Sequence, residues 1–200
     1  MLIHAILPAS RVNGPGLRAV VFVQGCSLAC KKCWNTQTHR FEGNDIPVAT
    51  VLDGILAHVS EQRLDGVTIS GGEPMQQAED LAVMLQALRA AMPNISIGMF
   101  TGYSPGELAS GTFRTRGQSD RTKRLDLWCS IRNCLDFAVM GRYNRLQPSR
   151  DPLCTSKNQK LQLFGTRHTE SDFGEQTVEI AISADGLTTI TGFPTLGIPA

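Results

Sequence analysis

No stretch of this 200-residue sequence stays apolar long enough to cross a bilayer, which takes about 20 residues. The opening segment, MLIHAILPASRVNGPG, lacks the basic start and cleavage pattern of an export signal. Neither sign of charge dominates. The 19 Lys and Arg against 18 Asp and Glu leave a formal net charge of +1, too weak a field to gather nucleic acid or anionic lipid. Internal repeats and low-complexity tracts are also missing. These absences point to a soluble, cytoplasmic protein. A chain of this length buries a proper core as one domain, so residues 1–200 are expected to form a single unit. Cytosolic thiols stay reduced, so the six cysteines suit metal or redox chemistry better than disulfides.

Residues 2–7 and 18–24 (RAVVFVQ) are rich in Val, Ile and Leu and bounded by Gly and Pro, as strands are. After Pro47, Val48, Val51, Leu52, Ile55 and Val59 recur at three- and four-residue spacing and predict a helix ending near Gly66. Residues 67–70 form a short strand closed by Gly71-Gly72-Glu73-Pro74. Leu81, Leu85, Leu88 and Met92 then stripe a second helix, which Pro93 stops. Residues 95–100, 135–140 and 160–164 continue the sheet. Residues 178–183 and 187–191 are expected to pair as a hairpin through Asp185-Gly186, with the tail to residue 200 as coil. Residues 111–124 (GTFRTRGQSDRTKR) are polar and basic and predict an exposed loop or insertion. Alternating strands and helices imply parallel strands in an α/β sheet or barrel. Such folds place their sites at the C-terminal ends of strands. There the cysteine loop, Gly71 to Pro74 and Thr101-Gly102-Tyr103 would converge.

The chemistry concentrates in GCSLACKKCWN, where Cys26, Cys30 and Cys33 have the spacing C-x3-C-x2-C. A closed zinc site brings four ligands, and His39, the one nearby candidate, falls outside the usual spacing. An iron–sulfur cluster also normally takes four thiolates. Three thiolates on a four-iron cluster leave one iron free to bind something else. Three incidental cysteines, or a zinc knuckle borrowing a distant ligand, are the structural alternatives. Gly71 and Gly72 let backbone approach a ligand closely, and Glu73 beside them can accept bonds from an ammonium group.

The segment GPGLRAVVFVQGCSLACKKCWN, residues 14–35, with GGEP downstream, resembles the signature of the radical S-adenosylmethionine superfamily. The GPG-Leu-Arg approach and Asn35 resemble the activating enzymes of glycyl radical enzymes. The likeness is greatest to the activators of anaerobic ribonucleotide reductase, whose later motifs resemble Thr101-Gly102-Tyr103 with Glu107-Leu108, Asp136 to Gly141 and Ser156 to Gln159. It covers most of residues 10–164.

This resemblance implies an incomplete TIM-type barrel, with residues 177–200 as a C-terminal hairpin and tail. It implies a [4Fe-4S] cluster on Cys26, Cys30 and Cys33, with S-adenosylmethionine on the fourth iron. Gly71, Gly72 and Glu73 would line its methionyl amine, the backbone of Lys32, Cys33 and Trp34 would face its adenosine side, and Pro74 and Thr101 would also contact the cofactor. Reductive cleavage would give a 5′-deoxyadenosyl radical that takes a hydrogen atom from a glycyl radical enzyme. A flavodoxin- or ferredoxin-type protein would supply the electron. Lys32 stands where the superfamily often has an aromatic residue, Thr155 stands where the later motif has Gly, and the chain after Thr177 extends beyond the smallest activators.

A peptide or small heterocycle as substrate, or an electron carrier or zinc adaptor without catalysis, are the competing functions. Among weaker signals, Cys129, Cys134 and Cys154 lack tight spacing and suit small buried hydrophobes. His4, His39, His58 and His168 are isolated and suit surface or satisfied positions. Trp34 and Tyr103 are candidates to pack near the site or stack on adenine. Arg142 is a candidate to bind the carboxylate of S-adenosylmethionine or the partner chain, or is an exposed arginine.

Overall fold

The computed structural model describes residues 1–175, 177–182, 186 and 188–192. Six strands form one sheet in chain order: β1 (Ile3–Ser10), β2 (Arg18–Val23), β3 (Gly66–Gly71), β4 (Ser96–Thr101), β5 (Phe137–Met140) and β6 (Lys160–Leu163). The inner four, β2 to β5, run parallel, and the two edge strands pair antiparallel to them. The parallel order expected from the alternation therefore holds for the inner strands. The chain from β1 to β2 crosses only residues 11–17, too short for a parallel crossover, so β1 turns back on its neighbour.

Helices α1 (Val48–Gln62), α2 (Ala78–Ala91), α3 (Pro105–Ser110) and α4 (Arg121–Arg132) fill the connections. In α1, Val51, Ile55 and Val59 are buried, with Val48 and Leu52 packed beside them. That helix stops earlier than Gly66: Arg63 takes a left-handed conformation at φ 50° and Gly66 opens β3. In α2 the stripe Leu81, Leu85 and Leu88 is fully buried. Helices α1, α2 and α4 lie side by side, with α2 in the middle.

Residues 111–124 depart from the loop reading. Phe113 is buried against Tyr103, with ring centroids 5.9 Å apart. The last four residues of the segment begin α4, which Asp120 caps by accepting from the Lys123 amide. Only Trp128 and Ile131 of α4 are buried, too narrow a stripe to outweigh the segment's polarity.

The inner strands bury both faces, as parallel strands do. Ala19, Val21, Val23, Val67, Ile69, Ile97 and Met99 pack in the hydrophobic core with the helices. At the strands' N-terminal end Arg18 is wholly buried. Its five N–H donors are all used: Nε to Thr68 Oγ1, Nη1 to Pro15 O and Ser96 Oγ, and Nη2 to Val67 O and Ser96 O, at 2.7–3.1 Å. Burial lowers its pKa to about 9, which still leaves it charged at neutral pH. The guanidinium sits 5.1 Å from the centroid of the Phe137 ring. Glycine is needed around this plug: a Cβ on Gly66 would lie 2.3 Å from Arg18 Nη1, and one on Gly98 would lie 2.1 Å from Phe137 Cζ. The GPG-Leu-Arg stretch thus serves the end of the sheet away from the cysteines.

Strands β7 (Val178–Ile182) and β8 (Thr188–Gly192) pair antiparallel as a separate two-stranded sheet. They attach near the same lower end: Asn13 Nδ2 donates to Thr191 Oγ1, and the Arg11 amide donates to Glu179. Asp185 of the expected turn and the tail 193–200 lie outside the described residues.

Candidate functional site

The parallel strands end where the four connecting loops meet. One pocket there is walled by Cys26, Cys30, Cys33, Trp34 and Asn35 after β2, Gly71, Gly72 and Glu73 after β3, Thr101 and Gly102 at β4, and Gly141 and Tyr143 after β5. Ser70, Phe100 and Val139 make its floor on the same sheet face that Arg18 plugs lower down. The strand-end convergence expected from the sequence is present. Lys32 and Pro74 are not in the wall: Lys32 is exposed, and Pro74 is buried as the first residue of a 3-10 turn, Pro74–Gln77.

The cysteine loop is shaped by backbone in an unusual region. Ala29 and Lys32, each just before a cysteine, have φ of 48° and 60°. Non-glycine residues rarely adopt this conformation, and it clusters at functional loops. The Cys33 amide donates to Cys30 O at 3.2 Å, closing a tight turn between them. Two glutamines hold the loop from below. Gln76 donates to Ser27 Oγ and accepts from the Ser27 amide, while Gln77 bridges Leu2 and Gln24.

Gly71 and Gly72 have a steric reason of their own. A Cβ on Gly71 would come within 2.6 Å of Val23 N, and one on Gly72 within 2.4 Å of Gly25 O. The two loops touch backbone to backbone, and the Glu73 amide donates to Gly25 O at 2.9 Å. Glu73 is fully buried and accepts from Thr101 Oγ1 at 2.7 Å, the Gly102 amide at 2.7 Å and the Met75 amide at 2.9 Å. Burial raises its pKa to about 7 against those bonds. A carboxylate has about four acceptor positions, so capacity for one further donor remains. Thr101 and Glu73 therefore act as a pair that locks β3 to β4.

Three other candidates fall into supporting places. Arg142 is clamped on Glu107 at 2.7 and 2.8 Å and stacks over Tyr103, holding the Glu107 carboxyl down to about 2. Tyr103 is buried outside the pocket wall, and its hydroxyl accepts from Gln76 Nε2 and the Arg114 amide. Gln159 fastens the rim, accepting from Thr155 and Ser156 and donating to Gly141 O. Trp34 is 48% exposed at the mouth and pairs with Tyr143 at 6.3 Å. Tyr143 carried no sequence signal, since it lies in a loop without periodicity. The glutamines were equally silent, although only Met75 separates them from Gly71 to Pro74.

The donor chemistry fits an iron–sulfur cluster. Cys26, Cys30 and Cys33 are free thiols sharing one wall. Burial pushes the Cys26 thiol up to about 11 and raises Cys33 as well, so metal loading must displace protons. Among the described residues no three Cys, His, Asp or Glu side chains are grouped to hold one metal ion. A cluster spreads its thiolates over separate irons and does not need that grouping. His39 departs from the surface or satisfied reading: it lines the pocket, and its Nε2 is buried without a hydrogen bond. Such an orphan costs about 1–3 kcal/mol. Cys129 is exposed, while Cys134 and Cys154 are buried as small apolar side chains are.

Residues 12–162 match the model of a family described as a 4Fe-4S single cluster domain. The anaerobic ribonucleoside-triphosphate reductase-activating protein of Enterobacteria phage T4 is 27% identical over 158 residues, covering 78% of this chain and 90% of that protein. Its counterpart in Salmonella typhimurium is 34% identical over 112 residues, covering 54% of this chain and 73% of that protein. A pyruvate formate-lyase-activating enzyme of Listeria monocytogenes is 33% identical over 106 residues, covering 50% and 43%. With a cluster-domain match across most of its length and a 34% identical relative covered over 73%, the chain belongs to the family of anaerobic ribonucleoside-triphosphate reductase-activating proteins.

Proposed function

We propose that this protein is a radical S-adenosylmethionine activating enzyme that makes a glycyl radical on a partner, the anaerobic ribonucleotide reductase, and that its sheet is an incomplete TIM-type barrel. The observation that carries the reading is one pocket at the C-terminal ends of parallel strands, walled by Cys26, Cys30, Cys33, Gly71, Gly72, Glu73 and Thr101. Cys26, Cys30 and Cys33 would hold a [4Fe-4S] cluster and leave one iron without a protein ligand. When bound, the cluster supplies one electron to the sulfonium of S-adenosylmethionine, releasing methionine and a 5′-deoxyadenosyl radical that takes a hydrogen atom from the partner's glycine.

The polypeptide's own part is placement. Gly71 and Gly72 present bare backbone, and the remaining acceptor capacity on Glu73 suits an ammonium group. Trp34 and Tyr143 give the mouth an aromatic rim, either ring of which suits an adenine face. The backbone of residues 32–34 would face the adenosine part there. The open side of an incomplete barrel would admit a glycine loop, and a flavodoxin- or ferredoxin-type protein would deliver the electron. No described helix is long and apolar enough to cross a membrane.

Reconstituted protein mixed anaerobically with reductant and S-adenosylmethionine should release 5′-deoxyadenosine and methionine. Adding the reductase should give a glycyl radical signal by electron paramagnetic resonance. A fully loaded cluster that yields neither product defeats the proposal. Product without a radical on any glycyl radical enzyme points instead to a peptide or small heterocycle as substrate.

A further inference from the structure

One polar atom in the pocket wall has no partner. His39 lines the pocket together with Cys26, Cys30 and Cys33. Its Nε2 is, among the described residues, the one buried side-chain nitrogen or oxygen without a hydrogen bond. Folded proteins seldom leave such a group unpaired, because burial forfeits its bond to water and nothing replaces it. An orphan in the wall of a cofactor pocket marks a partner that the polypeptide does not itself supply.

The backbone places His39 beside the first cysteine. His39 ends the 3-10 turn Thr36–Thr38. Its carbonyl accepts from the Cys26 amide at 3.0 Å, and the Thr38 carbonyl accepts from the Gly25 amide at 2.7 Å. The residue is thus tied to the segment that presents the first cysteine. Across the pocket, Glu73, Thr101 and Gly102 already bond to one another. Each of those groups has partners within the chain, whereas His39 Nε2 has none.

We propose that His39 donates a hydrogen bond from Nε2 to a sulfur of the cluster bound by Cys26, Cys30 and Cys33. This rests on the reading that those three cysteines hold a cluster. A donor aimed at sulfur stabilises the more negative, reduced state, and such bonds are a principal means of setting cluster potentials. His39 therefore tunes the ease of reduction without being a ligand. It is the same type of residue that the C-x3-C-x2-C spacing rejects as a fourth zinc ligand, now with a different task.

The test compares anaerobically reconstituted wild-type protein with His39→Phe and His39→Gln, measuring iron and sulfide content, reduction potential and S-adenosylmethionine affinity. His39→Leu repeats the comparison with a smaller side chain. At equal iron content, His39→Phe and His39→Leu should hold about tenfold less reduced cluster at a fixed potential, equivalent to a shift of about 59 mV to lower potential for one electron. His39→Gln, which keeps an N–H donor, should recover most of that ratio. A potential indifferent to residue 39 overturns the inference and leaves the cluster reading standing. An unchanged potential with weakened S-adenosylmethionine binding overturns it too, by placing the donor on the sulfonium compound. Nitrogen bound to iron in the wild-type spectrum overturns it by making His39 a ligand. Wild-type protein that takes up no iron defeats the cluster reading, and the inference falls with it.

Discussion

Replacing Gly72 by Ala tests whether the contact between the cysteine loop and the loop after β3 sets the cluster site. Gly72 lies outside the left-handed backbone region, so the substitution meets an obstacle of space alone. Its Cβ would stand 2.4 Å from Gly25 O, 2.9 Å from Gly25 C and 3.1 Å from Gly25 N, whereas ordinary contact begins at 3.4 Å. All three atoms are backbone, so the loops must part by about 1 Å, and the Glu73 amide loses its 2.9 Å bond to Gly25 O. The lost bond costs about 0.5–1.5 kcal/mol and the overpacking about 1–3 kcal/mol. Together they amount to roughly 1.5–4.5 kcal/mol, or a melting temperature lower by roughly 3–18 °C for a domain of this size. Cys26 follows Gly25 directly, so a 1 Å displacement there should cost about 100-fold in 5′-deoxyadenosine formation and reduce iron uptake. Gly106→Ala is the control. It lies in α3 with no atom within 4 Å of its Cβ, and should gain up to about 1 kcal/mol with normal iron content. Iron analysis, thermal melting and product chromatography on both variants decide the matter. A Gly72→Ala protein that loads iron and turns over like wild type refutes the reasoning.

Arg18→Met removes a buried cation and all five of its hydrogen bonds, and should cost roughly 3–5 kcal/mol in chemical denaturation. The surviving folded protein should still bind iron normally, because the plug sits at the other end of the strands; a loss under 1 kcal/mol would refute the plug's structural role. Glu73 keeps in the folded state a proton that the unfolded chain gives up near its ordinary pKa of 4.5, holding it to about 7. Stability should therefore fall as pH rises from about 4.5 to about 7 and level off above, and Glu73→Gln should flatten that segment of a denaturation-versus-pH curve. Glu107 has the opposite sign. Arg142 holds it near 2, so its contribution is whole above pH 4.5 and fades as pH drops toward 2. At this partly exposed pair the effect should reach only about 0.5–1 kcal/mol and vanish in Arg142→Leu.

The inner strands and the first two long helices were legible because buried parallel strands are written as continuous apolar runs and amphipathic helices as stripes, seen in residues 18–24 and in Val51, Ile55 and Val59. The site was legible as three loops that each follow a strand. Helix α4 was not, because Trp128 and Ile131 alone face inward and its polar start merges with the preceding loop. The roles of individual motif residues were hidden for another reason. A glycine excused by ligand approach and one excused by neighbouring backbone look identical in sequence, and only the 2.4 Å from Gly72 Cβ to Gly25 O separates them. Likewise Arg18 and Gln159 read as part of one functional signature, yet one fills the lower end of the sheet and the other ties down the pocket rim. Long-range pairings such as Gln76 with Ser27 are beyond any local pattern.

The most direct measurement is electron paramagnetic resonance of the reduced, iron-loaded protein before and after adding S-adenosylmethionine labelled at its amino nitrogen, with single Ala variants of Cys26, Cys30 and Cys33 beside it. The account predicts a four-iron signal whose shape changes on addition, coupling from the labelled nitrogen, and loss of the signal in each variant. A signal that ignores the added compound because four side chains already complete the cluster, or one that survives removal of any of the three cysteines, would contradict it.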